Sequence, residues 1–369
     1  MKIINKIKVL ATAIIVMAGL SSCEDFLSRP TIDNYTIDGF YQTDEQCFQA
    51  VNPIYNSPWY DFQRGFVKIG DALSGNVFYG TDNAYQSFVL KSSDEDIRNE
   101  SASLWSVNAY CNTLIENIDL KAGPKVTEKA KNTVKGEALT WKAMTYFYLV
   151  RCFGAVPIIH NNSEIIASSD VNNIYKNKTE DVYTYIVKTL EKAIEFLPEE
   201  NATGRIDKFS AYGLLAKVYL AKSGFGQNGT RVQADLDKAA EYAKKVIDES
   251  GRKLTPVYSD IFRLQNNFSD ESLIAWHWTV SNNWTSQNTF QSDLGLAGFS
   301  EFADSWGTWV GLTVDLQNAF GENASSLTRN NNDARRKATM MMQGDHYEYF
   351  WADKGGFDYD WKKPNSSDG

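Results

Sequence analysis

Between Thr127 and Pro157 the chain is committed to one shape. Apolar side chains recur at Leu139, Ala143, Tyr146, Phe147, Val150 and Phe153, and a second stripe runs through Val134, Ala138, Trp141, Met144 and Tyr148. Two apolar faces on one helix mean that it is packed on both sides rather than laid along a surface. Thr127 offers a side-chain oxygen to cap the start, Gly154 tolerates positive φ just past the end, and Pro157 forbids continuation. A helix so bounded has about 26 residues and a length of about 39 Å. It must cross most of a domain, and the rest of the chain has to be arranged around it.

With 369 residues, 43% of them hydrophobic, the chain can bury a substantial core as one large domain or two intimately packed halves. Its 37 basic and 46 acidic residues leave a net charge of −9, and the one basic cluster is Arg335-Arg336-Lys337, so a phosphate backbone would be repelled and no nucleic-acid partner is expected. Many of the 10 Trp, 19 Tyr and 20 Phe fall in Asn-, Ser- and Gly-rich segments without helical period, and need a role other than filling a helical core.

The amino end has a basic start (Lys2, Lys6, Lys8), an apolar run from Val9 to Leu20, and Leu20-Ser-Ser before Cys23, the pattern of a secretory signal over 1–22 with a lipobox. The apolar run is short for a membrane span. Lipid chains on Cys23 would instead hold the protein at a membrane surface without crossing it. The other cysteines, Cys47, Cys111 and Cys152, are odd in number, which argues against a disulfide framework. No Cys-x-x-Cys or Cys/His spacing marks a metal, so neither metal nor cofactor is expected. Cys152, inside the central helix, suits a small buried hydrophobe.

Along the chain, 26–39 lacks periodicity and reads as a tether. Thr43-Asp-Glu-Gln46 is a capping box opening a helix with Cys47, Phe48, Val51, Ile54 and Tyr55 inward, which Pro53 should bend or shorten. The Gly, Asn, Ser and aromatic content of 56–100 predicts mostly loop. Helical spacing resumes over 105–118, with Tyr110, Leu114 and Ile118 facing inward. An internal repeat follows: Tyr148-Leu149 before Gly154 and then Leu190-Glu-Lys-Ala-Ile194 is echoed by Tyr219-Leu220 before Gly224 and then Leu236-Asp-Lys-Ala-Ala240. This resembles tetratricopeptide helix pairs with lengthened loops. Thr179 and Pro198 bound one helix, Asp207 and Asp235 should cap the next two, and Gly224 and Gly251 close them. Past Pro256, Ile274, Trp276, Trp278 and Val280 alternate as on a short strand. Trp284, Phe290, Phe299, Phe302, Trp306 and Trp309 then lie in an aperiodic run, before a short helix over 313–320.

At the central helix the run Ala138-Leu-Thr-Trp-Lys-Ala-Met-Thr-Tyr-Phe-Tyr-Leu-Val-Arg-Cys-Phe-Gly-Ala-Val-Pro-Ile158 resembles the signature helix of the SusD/RagB family of nutrient-binding outer-membrane lipoproteins, with its Phe-Gly-x-Val-Pro ending. Phe40-Tyr-Gln-Thr-Asp-Glu45 is similar to that family's amino-terminal pattern. Asn332-Asp-Ala-Arg-Arg-Lys337 is similar to its Asp-Pro-Arg segment, with Ala334 where Pro is usual. The resemblance runs from Cys23 to about Lys337. It implies a mainly α, SusD-like fold in which tetratricopeptide-like helix pairs (126–255) pack against a loop-rich ligand-binding region with few short strands (23–125 and 256–369). The family's carboxy-terminal helix is missing from the sequence, so a shortened chain is expected. Glu24-Asp25 resembles the family's surface-export signal, which implies the outer face of an outer membrane.

The resemblance also implies a function: non-catalytic capture of an oligosaccharide or other nutrient, with the protein seated on a SusC-like TonB-dependent transporter. Trp306 and Trp309 are the foremost candidates for a stacking platform under a sugar ring, with core packing the alternative for them and for Trp284; Trp284, Tyr79 and Asn76 are weaker candidates placed by loop composition and approximate correspondence with the family's ligand-facing loops. Two alternatives stay open. A glycoside hydrolase would use paired carboxylates, and Asp71, Glu301 and Asp304 lie near aromatics, although any chain with 46 acidic residues offers such pairs. A tetratricopeptide-type docking scaffold would use the helix pairs alone. There is no G-x-S-x-G, H-E-x-x-H, phosphate loop or dinucleotide fingerprint, and His160, His277 and His346 are scattered.

Overall fold

The computed structural model describes residues 37–80, 84–169, 173–279, 283–290, 294–295, 310–321 and 333–360. Within them the helices are α1 (Ile37–Phe40), α2 (Asp44–Val51), α3 (Tyr60–Val67), α4 (Glu95–Lys121), α5 (Glu128–Phe153), α6 (Asn162–Ser168), α7 (Thr179–Phe196), α8 (Lys208–Gly224), α9 (Gln233–Glu249), α10 (Val314–Ala319) and α11 (Arg336–Thr339). Two antiparallel pairs complete the described elements, β1 (Val77–Tyr79) with β2 (Val310–Leu312), and β3 (His346–Tyr347) with β4 (Phe357–Asp358). The fold is mainly α, as expected.

The central helix, α5, ends where its caps dictate. Thr127 Oγ1 accepts from Ala130 N at 3.1 Å, and Gly154 takes φ 70° while donating its N–H to Val150 O at 3.0 Å. Both stripes are used: Val134, Ala138, Trp141, Ala143, Tyr146, Phe147 and Val150 are buried. α5 packs against α4, α7 and α2. Gly136 permits the approach of the chain after α7, since a Cβ there would lie 2.7 Å from Leu197 Cγ. One apolar core runs through these helices, with Trp59, Trp141 and Tyr55 at ring distances of 5.1 to 5.3 Å around α5.

At α2 the capping box forms, with Gln46 N donating to Thr43 Oγ1 and Gln46 Oε1 accepting from Thr43 N. Pro53 falls in a 3₁₀ turn (Asn52–Tyr55) that ends the helix, and Asp44 ties its first turn to the start of α5 by accepting from Thr127 N at 2.7 Å and Thr127 Oγ1 at 2.8 Å.

Several expectations are corrected. The segment 56–100 is not mostly loop: a 3₁₀ turn, α3, a π-helical turn (Lys68–Ala72) and the first turns of α4 occupy much of it. Its Gly65 serves close packing rather than a turn, because a Cβ there would meet Glu100 Oε2 of α4 at 2.8 Å. Helix α4 extends well beyond 105–118, capped by Asp94, whose Oδ1 accepts from Ile97 N, and Tyr110 points outward while Leu114 and Ile118 are buried. Asp207 caps α8 as expected, but Asp235 does not cap α9, which begins at Gln233. The Asp235 carboxylate is bound instead by Lys222 Nζ at 2.7 and 2.8 Å. The stretch around Trp276 is extended but pairs in no sheet among the described residues. Ile274, Trp276 and Trp278 share one face as alternation predicts, and that face lies on the helical core. In the basic cluster the Arg336 guanidinium is buried in an ion pair with Asp345, while Arg335 and Lys337 are exposed.

Candidate functional site

A second, smaller apolar cluster gathers segments far apart in sequence. Val67, Ala72, Val77 and Tyr85 are buried in it, and Ile97, Phe290, Val310 and Leu312 pack against them. On this support sits the β1–β2 ribbon, with Val77 opposite Leu312, Phe78 opposite Gly311 and Tyr79 opposite Val310. Val77 faces in and Phe78 faces solvent, as strand alternation requires. Asn76 precedes the ribbon half-buried, its carbonyl accepting from Thr313 N at 3.1 Å, and Thr313 Oγ1 in turn caps α10.

Trp284 lies in a 3₁₀ turn (Trp284–Ser286) and is 52% exposed, a large apolar ring held toward water. The loop beneath it is pinned at its base. The Asn56 carboxamide donates to both His277 O and Ser286 O, Thr279 N donates to Ser286 O at 2.9 Å, and His277 N donates to Tyr55 O at 2.9 Å. The outgoing leg reaches Phe290, in the cluster that supports the ribbon. The structure thus places Asn76 just before β1 and Tyr79 at its end, and fastens the Trp284 loop to the same cluster. Trp306, Trp309 and Cys23 lie outside the described residues, as do Glu301 and Asp304; Val310, which follows Trp309 in sequence, is the ribbon partner of Tyr79. Asn56 has no strong mark in the sequence; its only local sign is an Asn-Ser-Pro turn after an apolar helix face.

Behind the loop sits a buried polar knot. Glu137 of α5 accepts from Arg205 Nε at 3.0 Å and Nη2 at 2.7 Å, from Tyr55 OH at 2.8 Å and from Asn201 Nδ2 at 2.9 Å. Burial pushes this carboxyl upward while the guanidinium and the other donors pull it back. Tyr55 in turn lies 4.8 Å from the His277 ring, which burial keeps below the ordinary histidine range. Nearer α3, desolvation raises Glu100 to about 7, opposed by the Cys152 thiol that donates to it, and burial pushes the Cys152 and Cys111 thiols up to about 12. Such thiols are packing groups rather than nucleophiles. Asp71 takes part through its backbone carbonyl, which accepts from Asn76 N and Ser74 Oγ at the turn before β1. Among the described residues no group of three or more His, Cys, Asp or Glu could hold a metal, and no helix is long and apolar enough to cross a membrane.

Residues 10–220 match a SusD-like family model described as starch-binding and associating with the outer membrane. A SusD-like protein of Bacteroides ovatus is 33% identical over 359 residues, 96% of this chain and 63% of that protein. One solved structure superposes with a TM-score of 0.78 at 32% identity, covering 87% of this chain and 61% of its own. Another, solved with xylogluco-oligosaccharide, gives 0.75 at 31% identity, covering 85% and 61%. The chain spans a little over three-fifths of the length of these relatives.

Proposed function

This chain belongs to the SusD-like family, and from that premise we propose that it captures an extracellular oligosaccharide without cleaving it and hands it to a TonB-dependent outer-membrane transporter. The observation that carries this reading is the likeness, over 85% of the chain, to a protein solved with xylogluco-oligosaccharide. The ribbon and the Trp284 loop suit such a ligand. Sugar rings present weakly apolar C–H faces that an exposed indole covers, while nearby amides and carboxylates take the hydroxyls. Trp306 and Trp309 are assigned the main stacking platform, with Trp284, Tyr79 and Asn76 beside it. In this reading a lipid on Cys23 anchors the protein to the outer membrane with its sugar site outward.

Calorimetric titration with xylogluco-oligosaccharides, and with malto-oligosaccharides for comparison, tests the reading. Trp306→Ala or Trp309→Ala should remove on the order of 1 to 3 kcal/mol of binding while leaving the melting temperature nearly unchanged. Chromatography after prolonged incubation should return the glycan intact; shortened products would establish hydrolysis and overturn the assignment.

A further inference from the structure

A cleft of about 340 Å³ opens between the loop joining α7 to α8, the residues just after α9, and residues 268–275. This is within the size range of small-ligand sites. None of its lining residues belongs to the ribbon or the Trp284 loop. Phe209 is buried in one wall, and Phe268 stands in another, 46% exposed. Phe268 has φ 62°, a left-handed backbone that a bulky residue rarely adopts and that persists where the surroundings impose it. The surroundings here are specific. A Cβ on Gly204 would lie 2.8 Å from Phe268 Cδ1, so only glycine admits the ring, and the His277 ring holds it edge-on at 4.9 Å.

The charges lining the cleft divide into paired ones and exposed acceptors. Arg205 is spent on Glu137 and Arg252 on Asp207, at 2.7 Å in each case, and Glu199 pairs with Lys208 at 3.5 Å. Arg252 also donates to Asp270 O at 3.2 Å, which fixes the cleft wall. Glu200 and Asp270 are exposed in the lining, acceptors suited to paired hydroxyls and repulsive to an acidic sugar. From the half-open Phe268 ring beside these carboxylates, we propose that the cleft is a second binding site for a neutral oligosaccharide, independent of the ribbon and the Trp284 loop. The proposal rests on the oligosaccharide reading above.

Counting bound xylogluco-oligosaccharide per chain by native mass spectrometry, with calorimetry for affinity, tests it. The unaltered protein should take two equivalents. Phe268→Ala should weaken one of them by on the order of tenfold or more, and the doubly substituted Glu200→Gln, Asp270→Asn chain, altered only at exposed positions, should weaken the same one. Trp306→Ala with Trp309→Ala should abolish the other and leave the cleft's equivalent in place. A single equivalent insensitive to both cleft variants would overturn the second site while leaving oligosaccharide capture standing. No binding by the unaltered chain would overturn both, and tight binding of an oligogalacturonate at the cleft would overturn its assignment to neutral sugars.

Discussion

Gly65 has no side chain, and the Glu100 carboxyl of α4 occupies the space that a Cβ would need. So enclosed, Glu100 keeps its proton up to about pH 7, whereas in the unfolded chain it loses it near the ordinary value of 4.5. Between those values the native state holds more protons than the unfolded one. Its stability is therefore full below about 4.5, falls as pH rises toward 7, and levels off beyond. Glu100→Gln should flatten that slope and stabilise the protein at pH 8 by on the order of 3 kcal/mol. Urea unfolding between pH 5 and 8 reads this directly, and an unchanged slope would sink the assignment. Asn56 allows a second test. Asn56→Ala removes the side-chain bridge between the two legs of the Trp284 loop and should weaken oligosaccharide binding by about 1 to 2 kcal/mol. If unfolding shifts while affinity stays constant, the bridge is structural alone. Residue by residue, the sequence marks aromatics but not their supports, because Asn56 reaches partners more than 200 positions away.

Helix ends were legible where their signals are local. Thr127, Gly154, the Thr43 box and Asp207 all act as expected because each makes its hydrogen bonds within one turn. Asp235 misled because a cation beyond its own helix, Lys222, claims the carboxylate. Around α3, glycine and polar residues hid a helix whose Gly65 answers to α4 rather than to a turn. The alternation through Trp276 fixed which side chains face inward, but strand pairing depends on a distant neighbour, and the face met helices. Gly136 tests the packing at the element scale. Gly136→Ala gains helix propensity of about 1 kcal/mol but drives a methyl to 2.7 Å from Leu197 Cγ and 3.2 Å from Leu197 N. Because backbone as well as side chain must yield, net destabilisation of about 1 to 2 kcal/mol is expected in thermal unfolding. A stabilised variant would show that the α5–α7 contact is looser than described.

For the whole molecule, α5 with the helix pairs forms one continuous core, while the proposed sugar-facing parts hang on a smaller cluster beside it. If the helical body docks on a transporter, purification from membranes should bring down a β-barrel of the TonB-dependent class in stable proportion. A preparation repeatedly free of such a barrel would count against that partnership. The Asp44–Thr127 tie has a mechanical consequence. Asp44 grips both the amide and the hydroxyl of Thr127, and Gly123 N donates to Tyr41 O at 2.8 Å, so the chain's entry into the fold is sewn to the foot of the central helix. Tension arriving from the residues ahead of α1 is therefore taken up by α2 and α5 before it reaches Asn56 or the loop above it. If the residues ahead of α1 carry the proposed lipid anchor, this fastening leaves the shape of the proposed sugar-facing loops independent of a pull on it.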